Sequence, residues 1–455
     1  MFKRSVGCAS DMRRTIRSVA AATVLAACIA PAQASPVTDV NAALIASIRA
    51  SATPPPVASR AIAMVQIAMF DAVNAASGSR YRAYGYGGGS VSGVSPSAAA
   101  YAAGYDMLAK LFPARAGVLI GQRDLQIGAL GLGATTASAS LGLGGSIASS
   151  FYAARAADGA STAQLPYVFG SGPGAFVSTV SSGANPLLPG WGEVSPFVLA
   201  SGSQFRLAAP PALGSAAFVA AYEQVRTTGC ATCGTVEQQE IARFWADGGG
   251  TLTPPGHWVQ IASGILASRS LSLMEEARVM AVVGASVADA AISAWDNKYS
   301  YTLWRPVTAI NGCTLQSCGV EGEPGWKPLL TTPNFPSYAS GHSTFSGAAA
   351  GALASFFGDD VSFCVQPDAA VALQERCFGS FSAAAAEAGI SRIYGGIHYG
   401  FDNLPALAAG DAIGRYTYAR AFAPVPEPGT WALLLSGAAM LGMALRRRRD
   451  RRALA

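Results

Sequence analysis

The chain has 455 residues, 51% of them hydrophobic and only 13% charged, with a formal net charge of +5. That charge sits at the ends: residues 1–34 carry a net +4 and the residues after Pro428 a net +5, leaving −4 for the body between them. A basic balance confined to two terminal segments argues against a nucleic-acid partner, and a body of roughly 390 residues is ample for a large apolar core in one domain or two.

Residues 1–34 read as an address. Lys3, Arg4, Arg13, Arg14 and Arg17 are basic, residues 18–30 form an apolar run of small side chains, and Ala32-Gln33-Ala34 is a cleavage pattern. Together they predict a signal peptide removed by signal peptidase after Ala34. Leu25-Ala26-Ala27-Cys28 offers a competing reading, a lipoprotein box with Cys28 as the lipidated terminus.

The body predicts an all-α fold. Apolar residues recur at helical spacing over residues 59–76 (Ile62, Val65, Met69 and Val73 among them), 101–111 and 216–227. The most regular stripe is Met280, Val283, Val287, Ala291 and Trp295, within residues 273–295. Strand signals are few. Residues 117–145, rich in Ala, Gly and Ser, suit closely packed helices or a mobile connection and carry no functional signal. Residues 167–204, rich in Gly and Pro without periodicity, predict a long ordered loop that crosses the surface or covers a site. The organisation read from this is an N-terminal helical region with long loops over 35–260 and a C-terminal catalytic helical region over 261–424. Outside the chain ends no uninterrupted apolar run has membrane-spanning length. Six cysteines follow the signal segment as close pairs, Cys230/Cys233, Cys313/Cys318 and Cys364/Cys377. In an oxidising compartment these read as local disulfides, with a redox or metal role for Cys230-Ala-Thr-Cys233 as the alternative.

Three motifs in the second half supply chemistry. The first is Lys298-Tyr-Ser-Tyr-Thr-Leu-Trp-Arg305-Pro306, the second Pro336-Ser-Tyr-Ala-Ser340-Gly341-His342, and the third Ser391-Arg392-Ile-Tyr-Gly-Gly-Ile-His398-Tyr-Gly-Phe-Asp402. One Lys and two Arg can neutralise a multiply charged oxyanion, and guanidinium forks meet its oxygens two at a time. The chain has three histidines, and two of them fall in these motifs, so a scatter of chance matches is a poor explanation. Ser340-Gly341-His342 precedes an Ala-rich helical run that Gly358 ends, so it sits at a helix N-terminus, where unpaired N–H groups favour an anion. Ser340 rather than Ser337 is the expected anion contact because it adjoins Gly341-His342; a plain helix cap is its simpler role. Lys298 and Arg305 are expected to follow a helix ending near Trp295. Arg392 and His398 flank the turn Tyr394-Gly395-Gly396. Asp402 can orient the His398 imidazole, and it can also cap a helix beginning near Asn403. His257, after Pro-Pro-Gly, suits a loop near the site or a purely structural place.

The pattern K-x6-RP, PS-x-x-SGH, SR-x5-H-x3-D resembles the signature shared by vanadium-dependent haloperoxidases and type 2 phosphatidic acid phosphatases, including soluble bacterial acid phosphatases. It departs where three residues separate Pro336 from Ser340. Weaker similarity to the bacterial haloperoxidase-related branch runs through Arg60 to Asn74, Pro189-Gly-Trp191, Pro210-Pro211, Phe244-Trp245 and Pro255-Gly-His257-Trp258. The resemblance implies an all-helical bundle fold with the oxyanion site between helices. For vanadate as cofactor it implies His398 as the axial ligand of vanadium, and Lys298, Arg305, Ser340, Gly341 and Arg392 around the oxyanion. His342 would move protons, Lys298 would polarise the bound oxidant, and hydrogen peroxide and halide would give hypohalous acid. For a phosphatase, which needs no cofactor, it implies a phosphohistidine at His398, oriented by Asp402, with His342 protonating the leaving oxygen of a phosphate ester. A surface or matrix protein that keeps the fold without activity is the reading from a different class.

The end of the chain, residues 425–455, reads Val425-Pro-Glu-Pro-Gly429, an apolar stretch over 430–445, then arginines from Arg446 to Arg452. It resembles the PEP-CTERM sorting signal of Gram-negative bacteria. That resemblance implies transient membrane anchoring, processing by an exosortase, and delivery to the cell surface, exopolysaccharide or periplasm. The arginines would stay cytoplasmic by the positive-inside rule.

Overall fold

The computed structural model describes residues 35–369 and 371–425, together with residues 436, 440, 441 and 443. The signal segment, Cys28 and nearly all of the sorting tail lie outside the described residues.

Among the described residues the chain forms fourteen α-helices and one two-stranded hairpin. The first half supplies α1 (Pro36–Ala50), α2 (Pro55–Ala76), α3 (Pro96–Leu111), α4 (Ala116–Ala129) and α5 (Ala134–Ala154). After a long irregular stretch come α6 (Ala216–Thr228), α7 (Val236–Phe244), α8 (Thr253–Ala267), α9 (Leu273–Tyr301), α10 (Pro306–Gly312) and the single turn α11 (Leu315–Cys318). The last part holds α12 (Gly341–Phe357), the antiparallel strands β1 (Phe363–Val365) and β2 (Arg376–Phe378), α13 (Phe381–Tyr394) and α14 (Gly400–Arg420).

The organising element is α9. Its start is fixed by a reciprocal capping box, in which the Ser272 hydroxyl accepts from the Glu275 N–H and the Glu275 carboxylate accepts from the Ser272 N–H. Every residue from Val279 to Lys298 is buried, because α2, α8, α12 and α14 pack around it. Both α2 and α9 have the length and hydropathy to cross a membrane, but here they are buried core helices. The stripe predicted from the sequence was therefore one side of a helix wrapped on all sides. That helix runs six residues beyond the expected end near Trp295, which places Lys298 in its last turn. Helices α2 and α9, one on each side of residue 260 in sequence, pack along each other in one core.

Helices α12 and α14 lie side by side and run parallel. Cross-contacts climb together along both: Ser343 donates to Asn403 at 2.8 Å, Gly410 lies against the Thr344 carbonyl, and Gly414 against that of Ala348. The two N-termini therefore open at the same end of the bundle.

The segment between α5 and α6 is ordered by α9. Asp289 accepts the N–H groups of Phe197, Val198 and Leu199 at 2.6, 2.7 and 2.9 Å. The Trp295 indole and the Tyr299 hydroxyl both donate to the Leu187 carbonyl, at 3.1 and 2.7 Å. The expected long ordered loop is thus present, and the Leu187 side chain reaches the wall of the main cavity. All three close cysteine pairs form disulfides, Cys230–Cys233, Cys313–Cys318 and Cys364–Cys377.

Candidate oxyanion site

Seven stretches of chain line a cavity of about 470 Å³. One end is polar, formed by Gly341, His342, Arg392, His398 and Asp247. The remaining wall is largely apolar, with Leu187, Trp295, Leu330, Phe335, Phe345 and Ile397. Because α12 begins here with Gly341 and His342 on the cavity wall, the N–H groups and positive end of its first turn favour an anion at the polar end.

His398 is held from both sides. Its Nδ1 lies 2.8 Å from an Asp402 carboxylate oxygen and its Nε2 lies 3.1 Å from Nη1 of Arg305. A guanidinium only donates and an ionised carboxylate only accepts, so this network assigns the proton to Nδ1 and the lone pair to Nε2. The same Asp402 oxygen accepts the Tyr399 N–H at 3.1 Å and the Ser337 hydroxyl. Asp402 is the third residue of α14, which begins at Gly400, so the cap position belongs to Tyr399 and not to Asp402 as expected. Burial pushes the Asp402 carboxyl up to about 6, against the Ser337 and Tyr399 bonds and the nearby cations, which favour the ionised form.

Arg305, the N-cap residue of α10, donates Nε to the Phe335 carbonyl at 2.7 Å and Nη1 to that of Ile397 at 2.8 Å. Arg392, near the end of α13, donates Nη1 to the Trp245 carbonyl at 2.5 Å. Burial lowers both guanidiniums, Arg305 to about 9 and Arg392 to about 10, so both stay protonated at neutral pH. Burial together with the Arg392 charge lowers His342 well below the ordinary histidine range. Burial and the charges of Arg305, Lys298 and Arg392 do the same to His398. Both imidazoles are neutral.

Arg305 Nη2, Arg392 Nε and His342 Nε2 are buried without a hydrogen-bond partner among the described residues. An unpaired buried polar group costs about 1–3 kcal/mol, and more when charged. Two guanidinium nitrogens and an imidazole left open at one place, beside the N-terminus of α12, fit a tetrahedral or trigonal-bipyramidal oxyanion such as vanadate or phosphate.

Two of the expected anion contacts already have partners within the protein. Lys298 is fully buried, and its Nζ donates to the carbonyls of Pro336, Ser337 and Ala339 at 3.0, 2.9 and 2.6 Å, using all three of its protons. It underpins the second motif, behind the cavity wall. Ser340 caps α12: its oxygen accepts from the Ser343 hydroxyl at 2.8 Å, which leaves only its own proton for another acceptor. Gly341 does line the cavity. His257 lies on α8 and not in a loop; it is fully buried, 3.0 Å from Asp247 through Nδ1, and its ring centre is 4.6 Å from that of Trp245.

Sequence reasoning missed two groups. Ser337 was set aside for Ser340, although it sits in the same motif. Asp247 faces the cavity beside Gly248 and Gly249, and its charge supports protonated Arg392. The Trp245-Ala-Asp-Gly-Gly-Gly run after α7 was the available signal for it.

An all-helical bundle that closes around a pocket with a cationic end defines the class of fold, and the relatives found for the chain are vanadium-dependent peroxidases. Residues 278–426 match the family model of the VCPO second helical-bundle domain, and residues 424–449 match the PEP-CTERM protein-sorting motif. The chain is 32% identical over 126 residues to vanadium chloroperoxidase from Curvularia inaequalis, a stretch covering 23% of this chain and 20% of that protein. It therefore spans about a fifth of the length of that curated relative. Among solved structures it is similar to a bacterial vanadium-dependent iodoperoxidase, with a TM-score of 0.76 and 28% identity, covering 86% of this chain and 97% of that one. A holo bacterial vanadium-dependent chloroperoxidase shares the fold, with a TM-score of 0.63 at 17% identity over 85% of this chain and 93% of that one. The resemblance to vanadium haloperoxidases read from the three motifs is borne out, and so is the all-helical fold.

Proposed function

We propose that this protein is an exported vanadate-dependent haloperoxidase. The observation that carries the reading is the set of unpaired buried nitrogens on Arg305, Arg392 and His342 around the Nε2 lone pair of His398. Vanadate would be held by His398 through its Nε2, with Arg305, Arg392, the Gly341 N–H and the Ser340 hydroxyl donating to its oxygens. Bound there, it would activate hydrogen peroxide toward halide without changing its own oxidation state.

The chain's own residues do the rest. Asp402 keeps the proton on Nδ1 of His398, so Nε2 remains a ligand. Neutral His342, whose Nε2 has no hydrogen-bond partner among the described residues, offers that nitrogen as the base for a peroxide proton and returns it later. The guanidiniums balance anionic charge where the apolar wall keeps water out. Lys298 holds the second motif in register and acts on the anion only through its field. The net reaction is halide, hydrogen peroxide and one proton giving hypohalous acid and water. The same lone pair on His398 would serve a phosphohistidine mechanism, with His342 protonating the leaving oxygen; the named relatives favour the peroxidase reading. The sorting motif indicates export to the surface of a Gram-negative cell; removal of the first segment by signal peptidase and of the tail by an exosortase belongs to this proposal.

Calorimetric titration with orthovanadate tests the site. One equivalent should bind wild type, with phosphate competing, and His398→Ala should bind about 10- to 100-fold more weakly or not at all. Equal binding by wild type and His398→Ala would overturn the assignment of His398 as the ligand.

A further inference from the structure

We propose that Ser337 is a positioning residue that fixes the tautomer and direction of the His398 imidazole through Asp402. The inference rests on the reading of His398 as the group that meets the anion.

The geometry is a three-layer stack. Lys298 at the base donates to the carbonyls of Pro336, Ser337 and Ala339, and the Ser337 N–H donates to the Leu303 carbonyl at 2.9 Å. Ser337 is thus tied down on both sides of its peptide unit, and its side chain is fully buried. Its hydroxyl donates to the Asp402 oxygen that also faces His398, and lies 3.4 Å from Nδ1 of the imidazole. Three donors therefore converge on one carboxylate oxygen: Ser337, Nδ1 of His398 and the Tyr399 N–H. The other oxygen of Asp402 has no partner among the described residues. With the hydroxyl removed, the carboxylate would be free to rotate and share its two oxygens, and the imidazole would lose the fixed acceptor that holds its proton on Nδ1. The arrangement also gives Lys298 a role that its saturated ammonium permits: holding the peptide units that hold Ser337.

The test uses the full chain labelled with ¹⁵N-histidine. Three histidines give a simple imidazole spectrum, assigned through single His→Asn variants. In wild-type protein without anion, His398 should show one protonated nitrogen, Nδ1, and one unprotonated nitrogen, Nε2. Ser337→Ala should move both signals toward the average of the two tautomers and weaken orthovanadate binding about 10- to 100-fold. Ser337→Thr, which keeps the hydroxyl, should restore both. Wild-type His398 signals in folded Ser337→Ala would overturn the proposal, whatever happened to affinity. If Ser337→Ala failed to fold, His398 signals in Ser337→Thr matching an average of tautomers would overturn it equally. Because the tautomer is read without anion, failure of wild type to bind vanadate would count against the proposed function alone.

Discussion

At the residue scale, the site is a set of buried charges and neutral imidazoles whose states depend on one another. His342 is held neutral by burial and by Arg392, so its folded pKa lies below its ordinary value. The unfolded chain takes up a proton there as pH falls below about 6.5 while the folded chain does not, so stability is lost toward acid. In His342→Asn that linkage is absent. The stability difference between wild type and variant, from urea unfolding, should therefore shift against wild type by up to about 1.4 kcal/mol per pH unit below pH 6.5; a difference independent of pH would contradict the neutral assignment. The same scale shows what sequence could deliver. Motif spacing identified Arg305, Gly341, His342, Arg392, His398 and Asp402, all of which gather at one place. It could not separate Ser337 from Ser340, because which hydroxyl reaches the histidine pair depends on where Lys298 pins the intervening carbonyls. Lys298 itself was legible as a site residue, but its three carbonyl partners were not, since they come from residues about 40 positions away.

At the element scale, the decisive contact is the glycine-lined seam between α12 and α14. A Cβ on Gly347 would run into the Leu407 carbonyl, and one on Gly414 into that of Ala348, so these helices approach through glycine. The seam sets the distance between His342 at the start of one helix and His398 and Asp402 at the start of the other. Gly414→Val should cost about 1–3 kcal/mol by overpacking and also weaken orthovanadate binding, although it lies four turns from the site by helical count. Thermal unfolding and titration on the same sample check both; a destabilised variant with unchanged affinity would show that the seam does not set the site. Helix positions were largely legible because apolar periodicity is local. Ends were less so: α9 continues past Trp295 because Asp296, Asn297 and Lys298 are buried, and Thr302, at φ 47°, is what ends it, neither of which periodicity reports.

At the scale of the whole molecule, α9 unites the parts. It packs against α2 and the α12–α14 pair, orders the long segment through Asp289, and carries Lys298 in its last turn beneath the second motif. The fold class followed from composition and period, but this convergence did not, because contacts between α2 and α9 join residues some 200 apart. The disulfides were legible because each joins neighbours in sequence, whereas the bond from Arg392 to the Trp245 carbonyl spans 147 positions and needed the packing of α7 against α13 to appear. The most direct test of the account takes one preparation of the full chain through two assays. One follows bromination of a phenolic dye by hydrogen peroxide and bromide after incubation with orthovanadate; the other follows p-nitrophenyl phosphate hydrolysis without it. The account predicts bromination that requires vanadate and disappears in His398→Ala. Hydrolysis that vanadate inhibits, with no bromination, would contradict it and make the same pocket a phosphatase.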